Sequence, residues 1–168
     1  MILAARKEVG ASVPASADPV LKVEGLSVVV RTEAGIKPLV EDLSFTLSRG
    51  ETLCIAGESG SGKSMTALAI MGLLPKPAVS IGAGAIRLGA LDLAGMDERQ
   101  LRRVRGDRVA MIFQEPMTSL NPVLTIGRQL TEAIRAHRPV SAAEARRKAI
   151  AALEAVRIPD AAGRLAQH

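Results

Sequence analysis

Aromatic side chains are nearly absent: the 168 residues include two Phe, no Tyr and no Trp. Any core must therefore be aliphatic, built from Leu, Ile, Val, Ala and Met, and the 48% apolar content is enough to supply one. The same lack argues against a surface for single-stranded nucleic acid, where bases lie on aromatic rings. Cysteine occurs once, at Cys54, which excludes an internal disulfide framework and fits a reducing compartment. The two histidines, His137 and His168, stand far apart and offer no metal cluster. No apolar run approaches the roughly 20 residues that a membrane span needs. The opening MILAARKEVG is broken by Arg6, Lys7 and Glu8 and makes a poor export signal. These absences predict a soluble, cytosolic chain that reaches a membrane only by docking on a partner.

The length suits one ordinary domain. The net charge of +5 is compatible with nucleic acid or an anionic membrane face. Its densest stretch is Arg99, Arg102, Arg103, Arg105 and Arg108, interspersed with Glu98 and Asp107. No nucleic-acid motif accompanies these arginines, so they read as a solvated face and no nucleic-acid partner is expected.

Along the chain, residues 1–19 mix Ala, Ser, Pro and charge without period and read as a flexible lead. LKVEGLSVVV (21–30) and LVEDLSFTLS (39–48) alternate as strands, the second with Leu43, Phe45 and Leu47 on one face. TLCIA (52–56) is a short continuous apolar run, the pattern of a strand buried on both faces of a parallel sheet. Cys54 inside it is expected to be a buried, inert thiol. KSMTALAIMGLLP (63–75) reads as a helix that must stop before Pro75. A strand and turn follow over 84–93, a short polar helix over 96–106 and a second buried strand over RVAMIF (108–113). QEPMTSLNP (114–122) is a loop by its Pro and Asn content. Two further helices are predicted over 125–137 and 141–156. The latter opens with the capping box Ser141 and Glu144 and carries Ile150, Leu153 and Val156 at helical spacing.

The most specific stretch is GESGSGKS, Gly57 to Ser64, which matches G-x-x-x-x-G-K-[ST] in full. Its context matches too, with an apolar strand entering and a helix leaving. Gly60 and Gly62 let the backbone fold tightly, so that N–H groups along Gly57, Glu58, Ser59, Gly60, Ser61 and Gly62 face an anion. The new helix aims its positive dipole end at the same place. Lys63 supplies a mobile charge for the outer phosphates, and the Ser64 hydroxyl suits one position on an octahedral Mg²⁺. Met65 flanks this nucleotide site and packs as an ordinary apolar residue. A glycine-rich turn matching by accident would lack the flanking strand and helix.

About fifty residues after Lys63, MIFQEPMTSLNP (111–122) follows the second apolar strand. With these two elements in order, the sequence resembles the ATP-binding subunits of ABC transporters. GESGSGKS, VRGDRVAMIFQEPMTSLNP and VRIPDAAGRL resemble the peptide-import branch, which carries dipeptides, oligopeptides, glutathione and sometimes nickel; the similarity runs from about residue 20 onward. The resemblance implies an α/β P-loop NTPase core with an antiparallel β subdomain and the start of a helical subdomain. The nucleotide-binding core is expected over 20–114, the glutamine loop and helical subdomain over 115–168. The implied ligands are ATP and Mg²⁺. Gln114 takes the place of the family glutamine, whose neutral amide meets Mg²⁺ and the attacking water without adding charge. The loop after it implies contact with membrane permease subunits, beside a second nucleotide-binding domain and, indirectly, a substrate-binding protein. The implied location is the cytoplasmic face of the inner membrane. Glu115, next to Gln114, reads as a loop residue, since the water is expected on the glutamine side.

Two departures qualify the resemblance. The family stacks an aromatic ring on adenine near the end of its first strand, where SVVVRT offers only aliphatics and Val30 takes the place. Losing such a ring costs about 1–3 kcal/mol by analogy with base stacking. The LSGGQ signature, the supporting aspartate, the catalytic glutamate and the switch histidine of the family are not in the sequence. Neither His137 nor His168 has the context to replace them. The expectation is an N-terminal fragment that binds ATP without hydrolysing it, with several sheet strands missing and an exposed edge on TLCIA. For the longer protein the resemblance implies an ATP-binding subunit that couples ATP binding and hydrolysis to peptide import across the cytoplasmic membrane. The alternatives are a non-hydrolysing nucleotide-binding fragment and a P-loop protein unconnected with transport, such as a nucleotide kinase. A kinase would need a base-binding lid and catalytic arginines and does not predict FQEPMTSLNP.

Overall fold

The computed structural model describes residues 3–7, 19–114 and 119–168, the first of these stretches through its backbone. The chain divides into two compact units, Met1–Leu101 and Arg102–His168.

In the first unit, the alternating residues of β2 (Leu21–Thr32) and β3 (Gly35–Leu47) pair as an antiparallel hairpin. β5 (Val79–Leu88) joins the other edge of β2, and the short β6 (Leu91–Asp92) joins β5, giving the order β3-β2-β5-β6. Leu26, Val28 and Ile86 are fully buried on this sheet, and Val23 nearly so. Burying such side chains contributes about 1.5–3 kcal/mol each, so the aliphatic core suffices without aromatic rings. Both strands of the hairpin run further than their apolar patterns suggest, leaving only Glu33 and Ala34 as the turn.

β4 (Thr52–Ala56) is a strand, as its apolar run predicts, but it does not lie in a parallel sheet among the described residues. It pairs antiparallel with β1 (Leu3–Lys7), in register from Leu3 opposite Ala56 to Lys7 opposite Thr52. Part of the stretch read as an aperiodic lead thus satisfies one edge of β4. Residues 8–18 of that stretch lie outside the described residues. Burial of β4 on both faces does not occur: Leu53 and Ile55 are half-buried, and Cys54 is exposed rather than buried. A two-stranded sheet has no second layer to cover both its faces.

α1 (Lys63–Ile70) lies against β2, β3 and β5 and ends before Pro75. Gly72 stops it by taking a left-handed φ of 63°. The Gly72 and Leu73 amides then donate to the Ala69 and Leu68 carbonyls, a Schellman closure that proline does not need to enforce. α2 (Glu98–Val104) is the short polar helix, with Leu101 and Val104 turned inward and Arg99, Arg102, Arg103 and Arg108 exposed.

The second unit is helical. α3 (Ile126–His137) is capped by the Thr125 hydroxyl, which accepts from the Arg128 amide, and packs against α4 (Ala142–Ala155). Ser141 caps α4 as the capping box requires, accepting from the Glu144 amide at 3.2 Å. The buried stripe of α4 is Ala145 and Ala149 rather than the larger residues, and Val156 is 67% exposed. Small residues let α3 approach closely. The first amides of α3 find carbonyls in the tail that follows α5 (Ala161–Arg164). Ile126 donates to Gln167 at 2.8 Å and Gly127 to Leu165 at 2.9 Å.

The run at 108–113 does not form the expected buried strand. It makes one bridge, Arg105 with Val109, and then continues without strand pairing. Ile112 is 98% exposed and Phe113 51% exposed. An apolar run becomes a buried strand only when neighbouring strands cover it, and none lies beside this one among the described residues.

Candidate phosphate-binding site

The candidate site is built where β4 ends and α1 begins. Gly60 and Gly62 adopt left-handed φ values of 82° and 91°, conformations that side-chain-bearing residues reach only with strain. Gly62 is constrained a second time. A Cβ placed there would fall 2.6 Å from the Leu39 carbonyl oxygen and 2.8 Å from Val40 Cγ2, so β3 packs directly beneath the loop. Val40 is itself buried.

Gly62 is also the N-cap of α1 and has no side chain to cap it. The first amides of an α-helix have no carbonyl partner within the helix, and the helix dipole adds a partial positive charge at that end. Glycine leaves this end open to an anion. The first turn carries no acidic residue to compete for it.

Lys63 bridges the loop from one side to the other. Its Nζ donates to the Gly57 carbonyl at 2.7 Å, to the Glu58 carbonyl at 2.6 Å and to the Ser61 hydroxyl at 3.4 Å. An ammonium has three donors, and here the loop's own oxygens engage them all. A phosphate oxygen offers the same ammonium a stronger, charge-assisted partner. The loop is drawn tighter by the Ser61 amide, which donates to the Glu58 carbonyl at 3.2 Å.

Ser64 lies exposed in the first turn of α1, with its hydroxyl free for a cation's shell, and Met65 beside it is half-buried. Gly57, Glu58, Ser59 and Gly60 are exposed, so the loop is accessible. The residues present therefore fit a nucleotide polyphosphate and the oxygen-seeking divalent cation that accompanies it.

One contributor is absent from the motif pattern. Thr66 is completely buried, and its hydroxyl donates to the Gly62 carbonyl at 3.1 Å while its amide donates to the same oxygen at 2.8 Å. It anchors the loop to the helix from below. Its only sequence signal is a hydroxyl residue within an otherwise apolar stretch of helix.

The other predicted residues lie elsewhere. Val30 sits near the end of β2, half-buried, opposite Lys37 of β3 and Val79 of β5. Gln114 belongs to the second unit, where it is exposed. Glu115 lies outside the described residues. The loop beyond resumes at Ser119 and forms a turn that packs on α3. A cleft of about 480 Å³ lined by Arg102, Arg103, Asp107, Ala136 and His137 also lies in the second unit. It contains none of the phosphate-loop residues, so the chemistry is assigned to the loop. No group of His, Cys, Asp and Glu among the described residues could hold a metal ion by itself.

A strand, a glycine loop, a lysine and a helix N-terminus in this order define a P-loop nucleotide-binding protein. The family is then fixed by comparison: the ABC transporter family model matches residues 40–168, and the chain belongs to that family. It is 48% identical over 158 residues to a Brucella abortus (strain 2308) protein named as a peptide import ATP-binding protein, covering 91% of this chain and 47% of that one. A Brucella suis biovar 1 (strain 1330) protein with the same descriptive name is 47% identical over 150 residues, with 89% and 45% covered. The chain thus spans about half the length of the curated relatives it matches. Among solved structures, a dimeric ATP-binding cassette in a post-hydrolysis state with ADP and Pi superposes with a TM-score of 0.70. That match has 22% identity and covers 88% of this chain and 60% of the other. The fold is that of an α/β ABC ATPase cassette, of which this chain contains part. No described helix is long and apolar enough to cross a membrane.

Proposed function

We propose that the protein is an ATP-binding subunit of a peptide importer, coupling ATP binding and hydrolysis to uptake across the cytoplasmic membrane. The observation that carries this reading is the phosphate loop, with Lys63 held across it and Gly62 wedged against β3, in a chain 48% identical to a relative named for peptide import. Backbone amides from Gly57 to Ser64 surround the phosphates, Lys63 exchanges its loop carbonyls for phosphate oxygens, and Ser64 offers its hydroxyl to Mg²⁺. Bound Mg²⁺ supplies neutralisation of charge on the phosphates. Gln114 contributes a neutral amide toward the cation and water. Val30 provides an aliphatic contact for the base, in place of an aromatic stack.

Membrane permease subunits are the proposed partners of the loop after Gln114, with a second nucleotide-binding domain closing the site and a substrate-binding protein acting indirectly. The protein then works as a peripheral subunit on the cytoplasmic face. Phosphoryl transfer relies on positioning and charge neutralisation. The proposed cradle, cation ligand and amide all fall within these 168 residues, which are expected to bind ATP without turning it over. Hydrolysis is assigned to the longer protein. Calorimetric titration of Mg-ATP, with phosphate release followed in parallel, tests both parts. Binding without turnover by the 168 residues, weakened about tenfold or more in Lys63→Ala, is expected. Turnover by these residues that Lys63→Ala abolishes would refute the division.

A further inference from the structure

The turn at residues 121–124, beyond Gln114, is held by one side chain that the motif pattern does not mark. Asn121 opens a tight turn: its carbonyl accepts from the Leu124 amide at 3.1 Å, and its side-chain oxygen accepts from the Val123 amide at 3.0 Å. Pro122 in the second position pre-sets the backbone for such a turn. The half-buried Gln129, one turn into α3, reaches back to it. Gln129 Oε1 accepts from the Asn121 amide at 2.8 Å. Its Nε2 donates to the Asn121 carbonyl at 3.0 Å and to the Leu124 carbonyl at 2.9 Å. One carboxamide thus pairs with a peptide N–H and C=O as a neighbouring strand would, and uses both of its own N–H donors.

Few side chains could replace it. Glutamate has the acceptor but no donors and would set a charge against two carbonyl oxygens. Lysine and arginine have donors but no acceptor, and asparagine is one methylene shorter. The reverse orientation of the amide would face its oxygen to both carbonyls, so the network fixes how the group lies. The turn so held exposes Leu120 and Val123, at 46% and 77%. Holding a turn in one shape costs backbone entropy at each residue, which the hydrogen bonds of Gln129 offset.

We infer that Gln129 is a positioning residue: its amide clamps residues 121–124 onto α3, so that this turn meets the membrane partner as a rigid element. The inference rests on the proposed function for the identity of the partner, but the clamp itself does not. Gln129 touches neither nucleotide nor cation in this account. Its removal therefore alters transmission and spares nucleotide binding.

The test has two arms. In the first, hydrogen exchange is measured on the 168-residue chain with and without Gln129→Leu. Exchange at the Asn121 and Leu124 amides is expected to rise about tenfold, the loss of net hydrogen-bond stabilisation from a local site, with the amides of α4 unaffected. Gln129→Glu keeps the acceptor and loses the donors; Asn121 is then expected to stay more protected than in the leucine variant. Unchanged exchange at Asn121 in both variants overturns the clamp. In the second arm, the full-length protein assembled with its permease subunits is assayed in liposomes. Gln129→Leu is expected to lower the substrate-stimulated ATPase rate about tenfold while ATP affinity stays within about twofold. Faster exchange with an undiminished stimulated rate overturns the transmission role. An unmodified assembly that shows no stimulation by peptide overturns the importer reading instead, and the first arm still decides the clamp.

Discussion

The antiparallel sheet of the first unit and the two apolar runs that lead into the proposed site residues are all largely aliphatic, yet they close to different degrees. In the sheet, each of β2 and β5 has strands on both sides, and Leu26, Val28 and Ile86 lose all contact with solvent. β4, which leads into the phosphate loop, has β1 on one edge and exposes Cys54. The run at 110–113, which leads into Gln114, has no strand partner among the described residues and exposes Ile112 almost entirely. Apolar residues are buried by what lies beside them, and the stability of these regions should differ accordingly.

That difference can be broken first in the sheet. Leu26→Ala empties a fully buried site between paired strands and is expected to cost about 2–5 kcal/mol. Set against a typical stability of about 5–15 kcal/mol, this removes much of the cooperative transition. Chemical denaturation followed by circular dichroism measures it. Next in size is Gly62→Ala. A methyl group there meets the Leu39 carbonyl at 2.6 Å and opposes a φ of 91°. The expected loss is about 2–3 kcal/mol of stability, and nucleotide binding falls below detection in the same titration.

Lys63→Ala separates site from scaffold. Among the described residues its ammonium contacts only loop oxygens, so the sheet core is untouched and stability should move by less than about 1 kcal/mol. ATP affinity should fall by about 1.5–3 kcal/mol, the range for hydrogen bonds to charged groups. Ile112→Ser sharpens the comparison from the other side. A residue already in solvent should change stability by under about 0.5 kcal/mol, where the same substitution at Ile86 would be severe.

The smallest effect is expected at Glu24 on the sheet surface. A hydrogen bond from Lys22 at 2.7 Å, aided by the charges of Lys22 and Arg87, holds its carboxyl below the ordinary value of 4.5. A depressed carboxylate adds stability above its unfolded-state value, and that addition is lost as pH falls through the folded-state value. Glu24→Gln should therefore lower the midpoint slightly at neutral pH and leave it unchanged once pH is well below the carboxylate range. The exposed setting keeps the effect small.

The sequence was most legible where structure is decided locally. The phosphate loop is specified by its own residues: glycines that accept left-handed φ, a lysine long enough to cross it and a helix that starts at Gly62. The cap at Ser141 and the alternation of β2 and β3 are equally short-range. What was not legible depends on distant partners. Nothing in RVAMIF tells whether a strand will lie beside it. Nothing in KSMT tells that Thr66 will be buried or that Leu39 and Val40 of β3 will press against Gly62. The exposure of Cys54 and the use of alanines for the buried face of α4 belong to the same category. The three hydrogen bonds of Gln129 span five to eight residues, beyond the reach of any capping pattern.

The central claim is that the backbone from Gly57 to Ser64, closed by Lys63, is a polyphosphate cradle. Calorimetric titration of the folded chain with Mg-ATP and Mg-ADP tests it directly. Saturable binding below millimolar concentration, weakened about tenfold or more by Lys63→Ala, is the predicted result. A folded chain that retains neither nucleotide at millimolar concentration, or a Lys63→Ala variant that binds as tightly as the parent, would contradict it.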